Sequence, residues 1–236
     1  MTGLADLAEA ADLAGLTWPE VGDRAASGAL LAIPVGSTEQ HGPHLPLSTD
    51  TDIAVALAGR LAAVRPGVLV APPVAYGSSG EHQDFPGTLS IGQEALELLL
   101  VELCRSATRT FARVLLVSAH GGNAGPVSRA VRRLRAESRD VRAWAPAWRG
   151  DAHAGRTETA LQLALDAGRV RLDRAAAGDR RPVSELLPLL QASGVRAVSP
   201  TGVLGDPAGA SAAEGTGLLR QLTDALLAAV DSWENG

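Results

Sequence analysis

The chain has no lysine; apart from histidine, all 21 of its basic residues are arginine. That bias reads as the composition of a GC-rich genome, and it excludes a phosphate-binding glycine loop with its lysine. Cysteine occurs once, as Cys104 inside an apolar helical pattern, so no disulfide framework exists and a reducing cytoplasm is expected. Cys104 also lacks the loop setting of a nucleophile, and no Gly-x-Ser-x-Gly elbow is present, which disfavours covalent acyl-enzyme chemistry. Aromatic residues make up only 3%, so the core must rest on Leu, Val and Ala. No basic stretch carries interleaved aromatics and the net charge is -5, which argues against nucleic acid as a partner. There is no run of ~18 apolar residues to span a membrane. Asp6 and Glu9 stand where a secretory signal would carry a basic region, which points to a cytoplasmic protein.

The 236 residues are enough for one substantial core, and the chain from 1 to 236 reads as a single domain. Apolar runs at Ala29–Val35, Val68–Ala71, Arg113–Val117 and Val141–Trp144 have the length and character of strands. Between and after them lie helical patterns at Asp52–Val64, Gln93–Phe111, Asn123–Ser138, Thr157–Ala167 and from about Ala210 to Trp233. This alternation predicts an α/β fold, a mainly parallel sheet covered by helices on both faces. Ligands bind such sheets beyond the carboxyl ends of the strands. The loops Gly36–Asp50, Ser118–Asn123 and Trp148–Glu158 all follow predicted strands and should gather there.

Those loops hold the chemistry. All five histidines (His41, His44, His82, His120 and His153) sit in Gly- or Pro-rich loops, and none is in a predicted helix interior. Glu39, Asp50, Glu81, Asp84, Asp151 and Glu158 lie beside them, and imidazole with carboxylate suits zinc, iron or manganese. Glu39 and His41 are two apart, so an extended loop points them the same way. Asp50 is either a ligand or the cap of the next helix, a place Asp52 can equally fill. His120 opens into Gly121-Gly122-Asn123, where glycines allow close approach and Asn123 can cap a helix. Glu158 is either a ligand or a first-turn residue favoured by the helix dipole. Glu81, His82 and Asp151 read as pocket lining or as partners of the ligands, His44 as support, and Trp148 as a pocket wall.

Taken in order, Ser-Thr-Glu39-Gln-His41-Gly-Pro-His-Leu-Pro, Asp50, Ser-Gly-Glu-His82, Phe-Pro-Gly-Thr88, Ser-Ala-His120-Gly-Gly-Asn, His153-Ala-Gly with Glu158-Thr, and Gly202-Val-Leu-Gly-Asp-Pro207 resemble the creatininase family. The resemblance implies two divalent metal ions and hydrolysis of unusual amide bonds. One metal would take Glu39, Asp50 and His120; the other would take His41, the bridging Asp50 and a further carboxylate. His153 would transfer protons. Creatininases proper carry a glutamate two positions after the histidine matching His120, and here that position is Gly122. Glu158 is therefore chosen as the further carboxylate.

Within the family the chain is most similar to the mycofactocin-system peptidase branch. That implies a modified ribosomal precursor peptide as substrate, release of its C-terminal cross-linked Val-Tyr-derived unit, Fe2+ or Zn2+ (Mn2+ as a further option), and a homo-oligomer. Two other activities fit the residues: a small-molecule cyclic amide or formamide hydrolase, and a mononuclear iron oxygenase built on His41, His120 and Asp50.

Overall fold

The computed structural model describes residues 11–147 and 150–235. Asp6, Glu9 and Trp148, on which parts of the sequence reading rest, lie outside them. Four parallel strands, β1 (Leu30–Val35), β2 (Val68–Val70), β3 (Arg113–Ser118) and β4 (Asp140–Trp144), form one sheet in the order β2-β1-β3-β4. The expected α/β fold is the one observed. Every residue of β1 is buried, as a central parallel strand requires.

Side chains alternate across this sheet and so build two cores. Leu30, Ala32, Leu115 and Val117 face α2 (Thr49–Val64) and α7 (Ala212–Glu234), meeting Ile53, Leu57, Leu226 and Trp233. Leu31, Ile33, Val114 and Leu116 face α3 (Gln93–Ala107) and α4 (Ala124–Ala136), meeting Leu96, Leu100, Cys104 and Leu134. Pro34 sits in a central strand, where proline normally removes a ladder bond. The pairing of β1 with β2 has already stopped at Ala32 and Val70, and only the Pro34 carbonyl is used on that side, accepting from Val74.

Val35 of β1 is in register with Ser118 of β3, so the chain leaves both strands side by side at their carboxyl ends. The close exit is enforced at Gly36, where a Cβ would stand 2.4 Å from the Thr51 Cα. α2 begins at Thr49, three residues earlier than the sequence pattern suggests, which puts Asp50 in its first turn. Asp52 is consequently no cap. Ser48 holds the cap position, and Asp52 accepts from Ser48 (2.9 Å) and pairs with Arg169 (2.8 Å).

Three further α-helices, with five short 3-10 turns, complete the described residues. α1 (Trp18–Ala26) opens with a Thr17/Glu20 capping box, and α5 (Arg156–Asp166) packs on α7. α6 (Val183–Val198) was not anticipated from the sequence; it carries Pro188 and a non-helical Gly194. No helix among the described residues is long and apolar enough to cross a membrane.

Candidate metal centre

All five histidines are buried, and four of them converge with three carboxylates just past the ends of β1 and β3. Asp50 is the hub. Its Oδ2 lies 3.1 Å from His120 Nδ1, and its Oδ1 lies 3.2 Å from His41 Nε2. Glu39 Oε2 stands 3.3 Å from His120 Nε2, and Glu158 Oε2 stands 4.0 Å from His41 Nε2. Two donor sets result, Glu39–Asp50–His120 and His41–Asp50–Glu158, each with its ligand atoms within 4.8 Å of one another. A third grouping, Glu39–His41–His153, shares their members.

Several observations fit this cluster to divalent cations. Both Glu39 oxygens and Asp50 Oδ2 are buried with no hydrogen-bond partner, although imidazole nitrogens stand 3.1–3.4 Å away. Close approach without bonding angles is the geometry of groups aimed at a shared centre. Three of the histidines also fix their far ring nitrogen on a backbone carbonyl. His41 Nδ1 donates to the Glu39 carbonyl (3.2 Å), His120 Nε2 to Ser78 (3.0 Å) and His153 Nε2 to Gln40 (2.8 Å). Metal-bound histidines use their second nitrogen in this way, leaving the first as a lone pair toward the ion.

The electrostatics agree. Burial opposes ionisation of Asp50, but the His41 and His120 imidazoles outweigh it and hold this carboxylate well below its usual range. Burial likewise opposes charging of the two imidazoles; the charges of Asp50 on His41, and of Glu39 and Asp50 on His120, push both up to about 10. Burial drives Glu39 up to about 7 and raises Glu158. Without a metal, the carboxylates therefore hold the two imidazolium protons as counterions, which is the charge a bound cation replaces.

Glu158 is set on α5 by the Ala154 N–H, which donates to its Oε2 (2.5 Å). Ala154 adopts a left-handed φ of 53°, a conformation that costs an alanine energy and often marks a functional loop. Gly122 occupies the position of the missing family carboxylate. A Cβ there would lie 2.3 Å from the Ser78 carbonyl and 2.5 Å from His120 Nε2, so no side chain fits as the loops stand.

The remaining sequence candidates separate. His82 points Nε2 at Glu39 Oε1 (3.4 Å), and burial next to His41 and His120 lowers it to about 3. His44 bonds Thr159 Oγ1 (2.9 Å) and so braces α5 one residue from Glu158. Glu81 lines the cavity beside Gly122, outside the donor sets. Asn123 does not cap with its side chain. It clamps two loops instead, accepting from Ser78 N–H and donating to the Gly36 carbonyl, both at 2.9 Å. Asp151 also departs from expectation: it is not part of the cavity wall but accepts the Arg156 N–H (2.5 Å) at the start of α5.

Sequence reasoning missed Gln40. Its Nε2 donates to His82 Nδ1 (2.8 Å) and the Gly202 carbonyl (3.2 Å), and its Oε1 accepts from Gly42 (2.8 Å). This fixes His82 with its Nε2–H toward Glu39. Gly202 is the signal that pointed there, because a Cβ at that residue would sit 1.9 Å from Gln40 Oε1.

The cluster forms the floor of a cavity of about 1010 Å³. The turn at Gly80–Gln83, the segment Ser90–Gln93 and the start of α6 make its walls.

Comparison with known proteins gives a consistent result. The family model for creatinine amidohydrolase (Creatininase) matches residues 14–230. The mycofactocin precursor peptide peptidase of Mycobacterium ulcerans is 48% identical over 230 residues, covering 93% of this chain and 88% of that protein. The protein of the same description from Mycobacterium tuberculosis is 50% identical over 214 residues, covering 86% and 85%. A solved structure described as "Creatininase Mn" superimposes with a TM-score of 0.80 at 27% identity, covering 94% of this chain and 98% of that one.

Proposed function

The chain belongs to the creatininase family, and from that premise we propose a metal-dependent peptidase that cleaves the modified mycofactocin precursor peptide and releases its C-terminal cross-linked Val-Tyr-derived unit. The observation that carries this reading is Asp50, which offers one oxygen to each of two donor sets on the floor of a cavity of about 1010 Å³. Such a volume is at the upper end for ligand sites and suits several residues of peptide better than one small cyclic amide. The curated relatives that are about half identical to the chain supply the substrate.

In this reading Glu39, Asp50 and His120 hold one ion, and His41, Asp50 and Glu158 hold the other. Divalent ions bound there supply Lewis acidity, which polarises the scissile carbonyl and makes water acidic enough to attack near neutral pH. His153 manages the proton. Its Nε2–H is held on the Gln40 carbonyl, so Nδ1, 3.8 Å from Glu39 Oε1, carries the lone pair facing the cluster. Burial keeps this imidazole neutral, so its lone pair is available to take a proton from water. The Glu39 carboxylate supports the imidazolium that forms. His153 then returns the proton to the leaving nitrogen as the C–N bond breaks, giving a carboxylate and a free amine. Gln40 holds His82 while this occurs.

A mononuclear triad uses the residues less well. His41 and His120 address opposite oxygens of Asp50, and the triad gives Glu39 and Glu158 no role. The ions are Fe2+ or Zn2+, with Mn2+ next, in a cytoplasmic homo-oligomer; the donor set supports the ions and the lone Cys104 a reducing compartment, while the homo-oligomer follows from the family resemblance alone. The test incubates metal-loaded protein with modified and unmodified precursor peptide and follows products by mass. Release of a dipeptide-sized C-terminal fragment from the modified peptide alone is expected. Turnover of small lactams with the peptide left intact would replace this reading by a cyclic amide hydrolase.

A further inference from the structure

α6 overhangs the cavity, and its two ends are held differently. Its C-terminal part closes on the turn that carries His82. Gly194, with φ of 71°, would bring a Cβ within 3.1 Å of the Glu81 carbonyl, and Arg196 donates to the Asp84 carbonyl (2.6 Å). Leu186 and Val195 pack beneath the helix with Leu204 and are fully buried or nearly so. In the first two turns Leu186 is buried, but the face toward the cavity is left open. Val183 is 53% exposed and Leu187 is 48% exposed, yet both line the cavity together with Leu190. Positions 183, 187 and 190 follow the i, i+4, i+7 spacing that places residues on one helix face. The result is an apolar stripe on the wall above the charged floor of the site.

We propose that this stripe of Val183, Leu187 and Leu190 is the subsite for the apolar residues on the leaving side of the scissile bond. The assignment rests on the peptidase reading above. The side follows from His153, which protonates the leaving nitrogen. His153 pairs through its backbone with Leu204, and the Leu204 side chain packs under α6 against Leu186 and Val195. The nitrogen served by His153, and the residue attached to it, therefore lie toward α6. The stripe is continuous with the catalytic cavity, which argues for a substrate group over a second protein as its occupant. A unit built from valine and tyrosine side chains presents the apolar surface it would cover.

Leu187→Asp, Leu187→Met and Leu189→Asp, each metal-loaded, are compared with wild type on the modified peptide. Leu189 is the control: it is 45% exposed on the same helix but does not line the cavity. Leu187→Asp is expected to lose kcat/KM by about tenfold or more, mainly through KM, with metal content and melting temperature unchanged. Leu187→Met stays near wild type, and so does Leu189→Asp. Equal kcat/KM in Leu187→Asp and Leu189→Asp overturns the subsite while cleavage by wild type leaves the peptidase reading standing. A wild-type protein that does not cleave the peptide overturns that reading, and the subsite with it.

Discussion

Adding a single methyl group at Gly122 separates a metal site from an ordinary glycine turn. The backbone there needs no left-handed conformation, so Gly122→Ala tests space alone. The new Cβ would lie 2.3 Å from the Ser78 carbonyl oxygen, 2.5 Å from His120 Nε2 and 2.8 Å from Glu81 Oε1. Two of these three atoms belong to the bond that orients His120. Glu81 can swing aside, but the Ser78 carbonyl is backbone, and Asn123 holds the N–H of the same residue. His120 must therefore shift, and with it the Nδ1 lone pair aimed at Asp50. Overpacking of this kind costs ~1–3 kcal/mol, while stiffening the unfolded chain returns ~0.4–1 kcal/mol. The net loss of ~1–2 kcal/mol lowers the melting temperature of a chain this size by roughly 2–8 °C. Disturbing what orients a metal-bound histidine typically costs ~10–100-fold in affinity or activity.

Gly121→Ala is the matched control, since a Cβ at Gly121 meets nothing within 4 Å. Metal content after dialysis, turnover and thermal melting are measured for both variants. Loss confined to Gly122→Ala supports the argument. If Gly122→Ala keeps wild-type metal content and turnover, His120 is not held as described. The same clash explains why the family glutamate is not simply restored here: Gly122→Glu carries the same Cβ and should lose metal rather than gain a ligand.

Asp50→Asn should strip both ions together and abolish turnover, because one residue serves both donor sets; elemental analysis that finds one ion retained contradicts the bridge. Glu158→Gln keeps the shape but removes one carboxylate, so about half the bound metal should be lost while the Glu39–Asp50–His120 set keeps its ion. Metal binding at pH 7 should release at least two protons, those of His41 and His120 with a further fraction from Glu39, and affinity should rise with pH; calorimetry in buffers of different ionisation enthalpy reads the number. The stability of the chelated protein follows the same groups. Imidazoles raised from 6.5 to about 10 contribute fully below pH 6.5, and the contribution is lost as pH rises through 10. Glu39, raised to about 7, changes in the same direction. Chelated protein should thus lose stability between pH 6.5 and 10 faster than loaded protein in urea titrations.

The sheet was legible because its strands are buried runs. A central parallel strand has no solvent face, so β1 and β3 show as unbroken apolar stretches, and the loops that follow them were bound to meet. The histidines were legible for a related reason: five imidazoles confined to glycine- and proline-rich loops serve no purpose in a helix surface or core. α6 was hidden because Pro188 and Gly194 interrupt its periodicity, and the exposed Val183 and Leu187 look like surface residues until the cavity beneath them is seen. Gln40 was hidden because an amide carries no charge and binds no metal well, and its partner Gly202 is 162 residues away.

The carboxylates are the instructive case. Asp50, Asp52, Asp151 and Glu158 all flank helix starts, where either a cap or a ligand would put an acid. Asp52 pairs with an exposed arginine and Asp151 takes the first N–H of α5; both are satisfied by the protein itself. Asp50 keeps an oxygen buried and without a hydrogen bond, and Glu39 keeps two. An ionised carboxylate is too costly to bury unpaired. It persists only where a cation balances it, a proton on His41 and His120 or a metal in their place. Only the folded chain shows which acids are left in that condition, and those acids mark the site.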